Sequence, residues 1–292
     1  MELKILNVSK SYGKYRALRN INMEILPGIV GLLGENGAGK STLMKILSTI
    51  SSPTEGKILL NGVDIRKNPN MMRSILGYLP QDFGVYPHLN AVEFLSYIAA
   101  IKGIDRTTAK MRIYQLLELV NLSEVKKRPV GNYSGGMKQR LGIAQVLLND
   151  PKIVIVDEPT VGLDPIERNR FRHLLSDISG ERIVILSTHI VSDVEAIAGK
   201  IAVMSKGQLL SYAKPVELLE GVKNCIWQRI ITEEELQKLR KEFTVCNTVR
   251  TSDGMNVRFI AKEPPNGHAN SVVPTLEDAY LALISSGDSN HD

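Results

Sequence analysis

Apolar and polar positions change period several times along this chain, and each change predicts an element. Residues 3–8 alternate as a half-buried strand does. Ser11, Tyr12, Gly13 and Lys14 make a turn, and Ile21, Met23 and Ile25 resume the alternation, so the opening predicts an antiparallel pair. Residues 29–33 are a short apolar run that ends in glycine, and residues 43–47 follow at helical spacing. This reads as strand, tight loop, helix. Residues 51–56 form a loop by composition. Residues 57–60 and 63–65, joined by Asn61-Gly62, read as a hairpin around a type I′ turn. Residues 75–79 make a strand that stops at Pro80 and delivers Gln81 to its end.

Helical spacing then takes over. Asn90 can cap a segment with Val92, Leu95, Ile98 and Ala99 on one face. Residues 101–105 break it, and Met111, Leu116, Leu117, Leu119 and Val120 continue a second helix. Ser134 caps a third that runs through Leu148 and ends near Pro151. With no strand period between them, residues 84–150 read as a helical subdomain inserted into a sheet domain. Residues 153–156 and 183–186 are continuously apolar, the mark of strands buried on both faces of a parallel sheet.

Past Tyr212 the pattern becomes that of a small α+β unit. Residues 215–219 can start a short helix, and 225–231 alternate as a strand. Thr232 caps a helix that opens with Glu233, Glu234 and Glu235 and carries Leu236 and Leu239. Residues 243–249 and 255–260 read as strands about Ser252-Asp253-Gly254, residues 264–270 as a loop, and 276–283 as an amphipathic helix. The tail from Ser285 is expected to be disordered. The division is therefore 1–212 and 213–292, in line with the length of 292 residues.

Composition changes this picture little. Apolar residues make up 43% and charged residues 23%, ordinary for a soluble globular protein. No apolar run nears the ~20 residues that cross a bilayer, and the N-terminus lacks a secretory pattern. The expected location is the cytosol, with any membrane role left to a separate chain. The net charge of +5 is spread along the sequence, which favours a solvated surface over a nucleic-acid footprint. It is compatible with an anionic membrane face. Cys225 and Cys246 have no metal-type spacing and read as thiols in a reducing compartment.

The chemistry begins in the loop after the third strand: Gly34-Glu35-Asn36-Gly37-Ala38-Gly39-Lys40-Ser41-Thr42. It matches G-x-x-x-x-G-K-[ST] with strand before and helix after, the context the motif demands. The glycines let backbone N–H groups converge on an anion, and the helix aims its positive end at the same point. Lys40 would reach the β- and γ-phosphates of a nucleotide, and the Ser41 hydroxyl would ligate Mg²⁺. Asp157 and Glu158 directly follow a buried strand, where two acids carry a desolvation cost. Such an Asp can hold Mg²⁺ through water, and the next Glu can orient or deprotonate an attacking water. Ser187-Thr188-His189 closes the other buried strand, where a functional histidine is the favoured reading over a structural one. Gln81 stands at a strand's carboxyl end, either facing a ligand crevice or exposed on a loop. Tyr12 either stacks on a base or is an ordinary turn tyrosine. Ser134-Gly135-Gly136 alone is a common helix start.

Together these residues resemble one family, the nucleotide-binding subunits of ABC transporters, over roughly residues 1–212. Residues 34–42 look like its Walker A loop, and 153–158 like Walker B with the catalytic glutamate. Gln81 matches the Q-loop, and Tyr133 to Met137 the signature motif. Gly162-Leu163-Asp164 matches the D-loop, His189 the switch histidine, and Tyr12 the aromatic that stacks on adenine. Two departures stand out. Met137 replaces the usual glutamine and loses an amide donor. Glu35 sits where proline is frequent, and its charge is expected to weaken nucleotide binding slightly.

The resemblance implies a P-loop NTPase α/β fold: a core sheet, an antiparallel β subdomain, an inserted helical subdomain, and here a small C-terminal α+β domain. It implies ATP and Mg²⁺, with Ser41, Asp157 and Gln81 toward the metal. Glu158, His189, Gln81 and Lys40 would act in hydrolysis. It also implies a dimer, with itself or a related subunit, in which Ser134, Gly135 and Gly136 cap the γ-phosphate held by the partner; Asp164 is likewise implied to be a nucleotide-binding residue. A separate integral-membrane subunit would receive the motion, with this chain peripheral on the cytoplasmic face of the membrane. The ending Pro274 to Tyr280 is similar to the closing helix of bacterial exporter ATPases. Alternatives are an importer subunit, or a non-transport ATPase of the family acting on ribosomes or DNA.

Overall fold

Ile153 and Ile155 turn to one side of a sheet while Val154 and Val156 turn to the other, and Ile183 and Ile185 are set against Val184 and Leu186 in the same way. The two-residue period is kept even where no polar residue marks it. The computed structural model describes residues 1–264 and 269–288. The chain opens with β1 (Leu3–Tyr12), β2 (Tyr15–Ile25) and β3 (Gly28–Leu33), then α1 (Lys40–Leu47). The hairpin β4 (Glu55–Leu60) and β5 (Val63–Asp64) leads to α2 (Pro69–Ile75) and β6 (Leu76–Leu79). Next come α3 (Ala91–Ile101), α4 (Arg106–Leu119), a 3₁₀ turn (Val130–Asn132) and α5 (Gly135–Leu147). The sheet resumes with β7 (Ile153–Asp157), α6 (Pro165–Ser179), β8 (Ile183–Thr188), α7 (Val191–Glu195), β9 (Lys200–Ser205) and β10 (Gln208–Ala213). The remainder is α8 (Pro215–Glu220), β11 (Ile226–Ile231), α9 (Glu233–Glu242), β12 (Thr244–Thr251), β13 (Gly254–Ile260), β14 (Asn270–Ser271) and α10 (Leu276–Asp288).

The central sheet runs β10-β9-β3-β8-β7-β6. Every neighbouring pair in it is parallel except β9 and β10. One face carries Val30, Leu32, Ala202 and Met204 into a core shared with α1 and the antiparallel sheet β2-β1-β4-β5. The other carries Ile29, Leu33, Ile201 and Val203 into a core with α5, α6 and α7. Gly31 lets α7 approach, since a Cβ there would lie 2.4 Å from Val194 Cγ1. The helical subdomain is capped as its residues demand. Asn90 and Glu93 form a capping box on α3, and the Asp105 side chain accepts from Thr107 and Thr108 to start α4.

Three expectations are corrected. The strand expected over residues 75–79 starts only at Leu76, because Ile75 is the last residue of α2, a helix capped by Asn68 with Pro69 in its first turn. The segment 264–270 does not stay a loop to its end, because Asn270 and Ser271 pair with β11; residues 265–268 lie outside the described residues. Order does not stop at Ser285 either. Helix α10 continues through Asp288, and Ser285 donates to Leu281 O at 2.8 Å inside it; residues 289–292 are outside the described set.

The third sheet, β12-β13-β11-β14, has different helices on its two faces. Val257 and Phe259 pack with Leu236 of α9. Ile226 and Ile260 belong instead with Leu276, Ala279 and Tyr280 of α10, and that group is continuous with the core beneath the central sheet. Spacing of three and four residues puts these three side chains on one helix face. Helix α10 thus returns across residue 213 to pack against the nucleotide-motif unit.

Candidate functional site

The glycine loop is shaped by what surrounds it. A Cβ on Gly34 would lie 2.4 Å from Met204 O, and one on Gly39 would lie 2.8 Å from Ala17 O. Gly37 (φ 86) and Gly39 (φ 100) are left-handed, a region glycine enters freely. The loop closes through Ala38 N donating to Glu35 O at 3.1 Å, and Gly34 N donating to Thr188 O at 3.3 Å ties it to β8. Lys40 opens α1 with only 4% of its side chain exposed. Its Nζ donates to Gly34 O at 2.7 Å and Glu35 O at 3.0 Å and stands 3.2 Å from Glu158 Oε1.

Glu158 is held between two bases. Its other oxygen, Oε2, is 3.2 Å from His189 Nδ1. The residue is left-handed (φ 46), a conformation that costs a non-glycine residue about 1–2 kcal/mol per residue. Surrounding bonds maintain it: Glu158 N donates to both Ser187 O and Ser187 Oγ at 3.1 Å. The same Ser187 hydroxyl donates to Asp157 Oδ1, with Ser41 Oγ 3.5 Å from that oxygen. Burial, with the charge of Asp157 adding to it, pushes the nearby Tyr78 phenol up to about 12. Sequence reasoning gives Ser187 no role; the signal it offers is a short polar residue directly after four apolar ones in β8.

The Ser41–Asp157 pair suits a hard cation. Both donors are oxygen, and no group of three or more His, Cys, Asp or Glu that could hold a metal occurs among the described residues. Mg²⁺ bound with substrate phosphates commonly takes one or two carboxylates and several waters rather than an all-protein cage.

Other expected residues stand apart. Gln81 is exposed two residues beyond β6, the strand beside β7. Tyr12 is not in the turn as expected but ends β1, paired with Tyr15; it is 49% exposed, with Lys10 Nζ 5.1 Å from its ring centre. Asp164 caps α6 by accepting from Glu167 N at 2.8 Å. Ser134 caps α5 by accepting from Met137 N at 3.2 Å, while burial pushes the Tyr133 phenol above its usual range. A Cβ on Gly136 would lie 2.3 Å from Glu167 Oε2, and Arg140 Nη2 is 3.3 Å from that same oxygen, so α5 and α6 are locked together. Among the described residues no hydrogen bond or ion pair joins Ser134, Gly135 or Gly136 to the glycine loop.

A family profile described as ABC transporter matches residues 18–161. The chain is 36% identical over 233 residues to an uncharacterised ABC transporter ATP-binding protein, YxlF of Bacillus subtilis, covering 80% of this chain and 77% of the relative. The chain belongs to the ABC transporter family. It takes its place there as an ATP-binding subunit. Nod factor export ATP-binding protein I of Cupriavidus metallidurans is 32% identical over 264 residues, 90% of this ABC subunit and 87% of the relative. The dimeric ATP-binding cassette MJ0796 with ADP and Pi superposes with a TM-score of 0.64 at 26% identity, over 73% of this ABC subunit and 98% of that chain. No described helix of this ABC subunit is long and apolar enough to cross a membrane.

Proposed function

We propose that this ABC subunit is a Mg²⁺-dependent ATPase that powers export through a separate membrane-spanning chain, working from the cytoplasmic face. The observation that carries the reading is the Glu158 carboxylate held 3.2 Å from both Lys40 and His189, beside the Ser41–Asp157 pair. In this reading the amides of residues 34–42 and Lys40 hold the triphosphate, and Tyr12 stacks on the base. Ser41 and Asp157, with Gln81, hold Mg²⁺, which when bound draws negative charge from the phosphates. Glu158 orients the attacking water and takes its proton, and His189 keeps that carboxylate turned toward the reacting end. The pair of oxygens on Glu158 suits it to both contacts at once.

Ser134, Gly135 and Gly136 would cap a γ-phosphate held by a second subunit. Their separation from the glycine loop within one chain supports this division, as does the dimeric state of the MJ0796 cassette. Export is supported by the closing segment Pro274 to Tyr280 and by the Nod factor export relative, whose similarity extends over 90% of this chain. The test is Glu158→Gln. It should bind ATP, hydrolyse it about 10²–10⁴-fold more slowly, and run as a dimer on size exclusion in ATP. A variant that binds ATP yet stays monomeric would refute the shared site.

A further inference from the structure

Asp193 is fully buried, four residues beyond His189 on the short helix α7. A carboxylate in such a place costs several kcal/mol unless its oxygens are partnered. Oδ2 accepts from Thr160 Oγ1 at 2.5 Å, and Thr188 Oγ1 is 3.4 Å from the same oxygen. Oδ1 accepts no hydrogen bond among the described residues and is offset by charge alone, from Arg168 Nε at 3.9 Å and Arg172 Nη1 at 4.0 Å, both on α6. Arg172 Nη1 in turn donates to Ser192 O at 2.8 Å, next to Asp193 in the chain.

The positions of the two threonines give this cluster its meaning. Thr160 follows Glu158 with only Pro159 between, and Thr188 directly precedes His189. Both are 1% exposed. Thr188 Oγ1 also accepts from Ile190 N at 3.0 Å, so the backbone is pinned on both sides of His189. One carboxylate therefore grips the segments that carry the two side chains found 3.2 Å apart. Glu158 needs such a grip, because a left-handed non-glycine residue persists only where its surroundings over-determine it.

We propose that Asp193 is a positioning residue for ATP hydrolysis: through Thr160 and Thr188 it sets the spacing between the Glu158 carboxylate and the His189 ring, and through Arg168 and Arg172 it ties both to α6. This rests on the reading that Glu158 and His189 work at the γ-phosphate. Helix α6 begins at the D-loop residue Asp164, so a shift of that helix reaches the Glu158–His189 pair through Asp193. Rate is sensitive to such spacing, with a misplacement of about 1 Å able to cost ~10²-fold.

The experiment compares steady-state ATPase kinetics of the full chain and its Thr160→Val, Thr160→Ser, Asp193→Asn and Glu158→Gln variants. Valine deletes the donor to Asp193 at similar size, and serine keeps it. Thr160→Val should lower kcat about tenfold with KM for ATP within about twofold, and Thr160→Ser should restore kcat. Added to Glu158→Gln, Thr160→Val should cost less than about twofold more, since the group it positions is already gone. Asp193→Asn should parallel the valine variant; if it fails to fold, the Thr160 pair still decides. Full turnover in Thr160→Val beside a collapsed Glu158→Gln overturns the inference alone, and so does a serine variant no better than valine. Full turnover in Glu158→Gln overturns the reading of Glu158, and the inference with it.

Discussion

Replacing Asp278 by alanine should release α10 from the third sheet. Its side chain is 1% exposed and accepts from Arg258 Nε at 2.9 Å, Arg258 Nη2 at 2.6 Å, Thr275 N at 2.7 Å and Thr275 Oγ1 at 2.8 Å. Arg258 is itself only 20% exposed, and the substitution leaves its guanidinium with Val273 O as a partner. Removing one member of a buried ion pair costs about 3–5 kcal/mol, because the other charge stays behind uncompensated. At 1.4 kcal/mol per factor of ten, even the lower figure raises the opening equilibrium of α10 by about two orders of magnitude. Hydrogen exchange of the amides of residues 279–284 reads that equilibrium directly. A second variant separates charge from packing: Arg258→Leu with Asp278→Leu removes both charges and should regain most of the lost protection. Protection in Asp278→Ala within about threefold of the parent would refute the reasoning, as would a double variant worse than the single one.

The same carboxylate predicts an acid response. Burial acts to raise its pKa, but the bonds from Arg258 and Thr275 outweigh burial and hold the carboxyl below the usual range. Its stabilisation is therefore complete above the unfolded value of about 3.9 and is lost as pH falls through the lower folded value. Exchange at α10 should quicken below about pH 4 in the parent and show no such step in Asp278→Ala. In the glycine loop, Gly34→Ala should lower the melting temperature and weaken ATP binding, since its Cβ meets the Met204 carbonyl at 2.4 Å and overpacking costs about 1–3 kcal/mol. An unchanged melting curve with normal ATP affinity would remove that steric argument.

The glycine loop was legible because its demands are local. Strand, glycines, Lys40 and helix are contiguous, and the left-handed Gly37 and Gly39 need no distant partner to be foreseen. The buried strands β7 and β8 announced themselves by unbroken apolar runs, and with them the places of Asp157, Glu158 and His189. What the residues did not declare was long-range. Helix α6 starts with two ordinary signals, the Asp164 cap and Pro165 in its first turn, but Asp164 also completes a loop motif that masks them. Helix α2 hid behind a short apolar stretch that suits strand or helix equally. Thr160 and Asp193 lie 33 positions apart, and nothing in either neighbourhood names the other. An amphipathic pattern in α10 said that a face would be covered but not by which sheet.

That last point bears on how the molecule is made. Leu276, Ala279 and Tyr280 belong to the core beneath β9 and α7, and everything between β10 and α10 must be synthesised before they can arrive. At roughly 5–20 residues per second, the ribosome leaves that flank bare for several seconds. A nascent chain stalled in this interval carries a finished glycine loop beside an unfinished wall, and chaperones that bind exposed apolar surface would find it there.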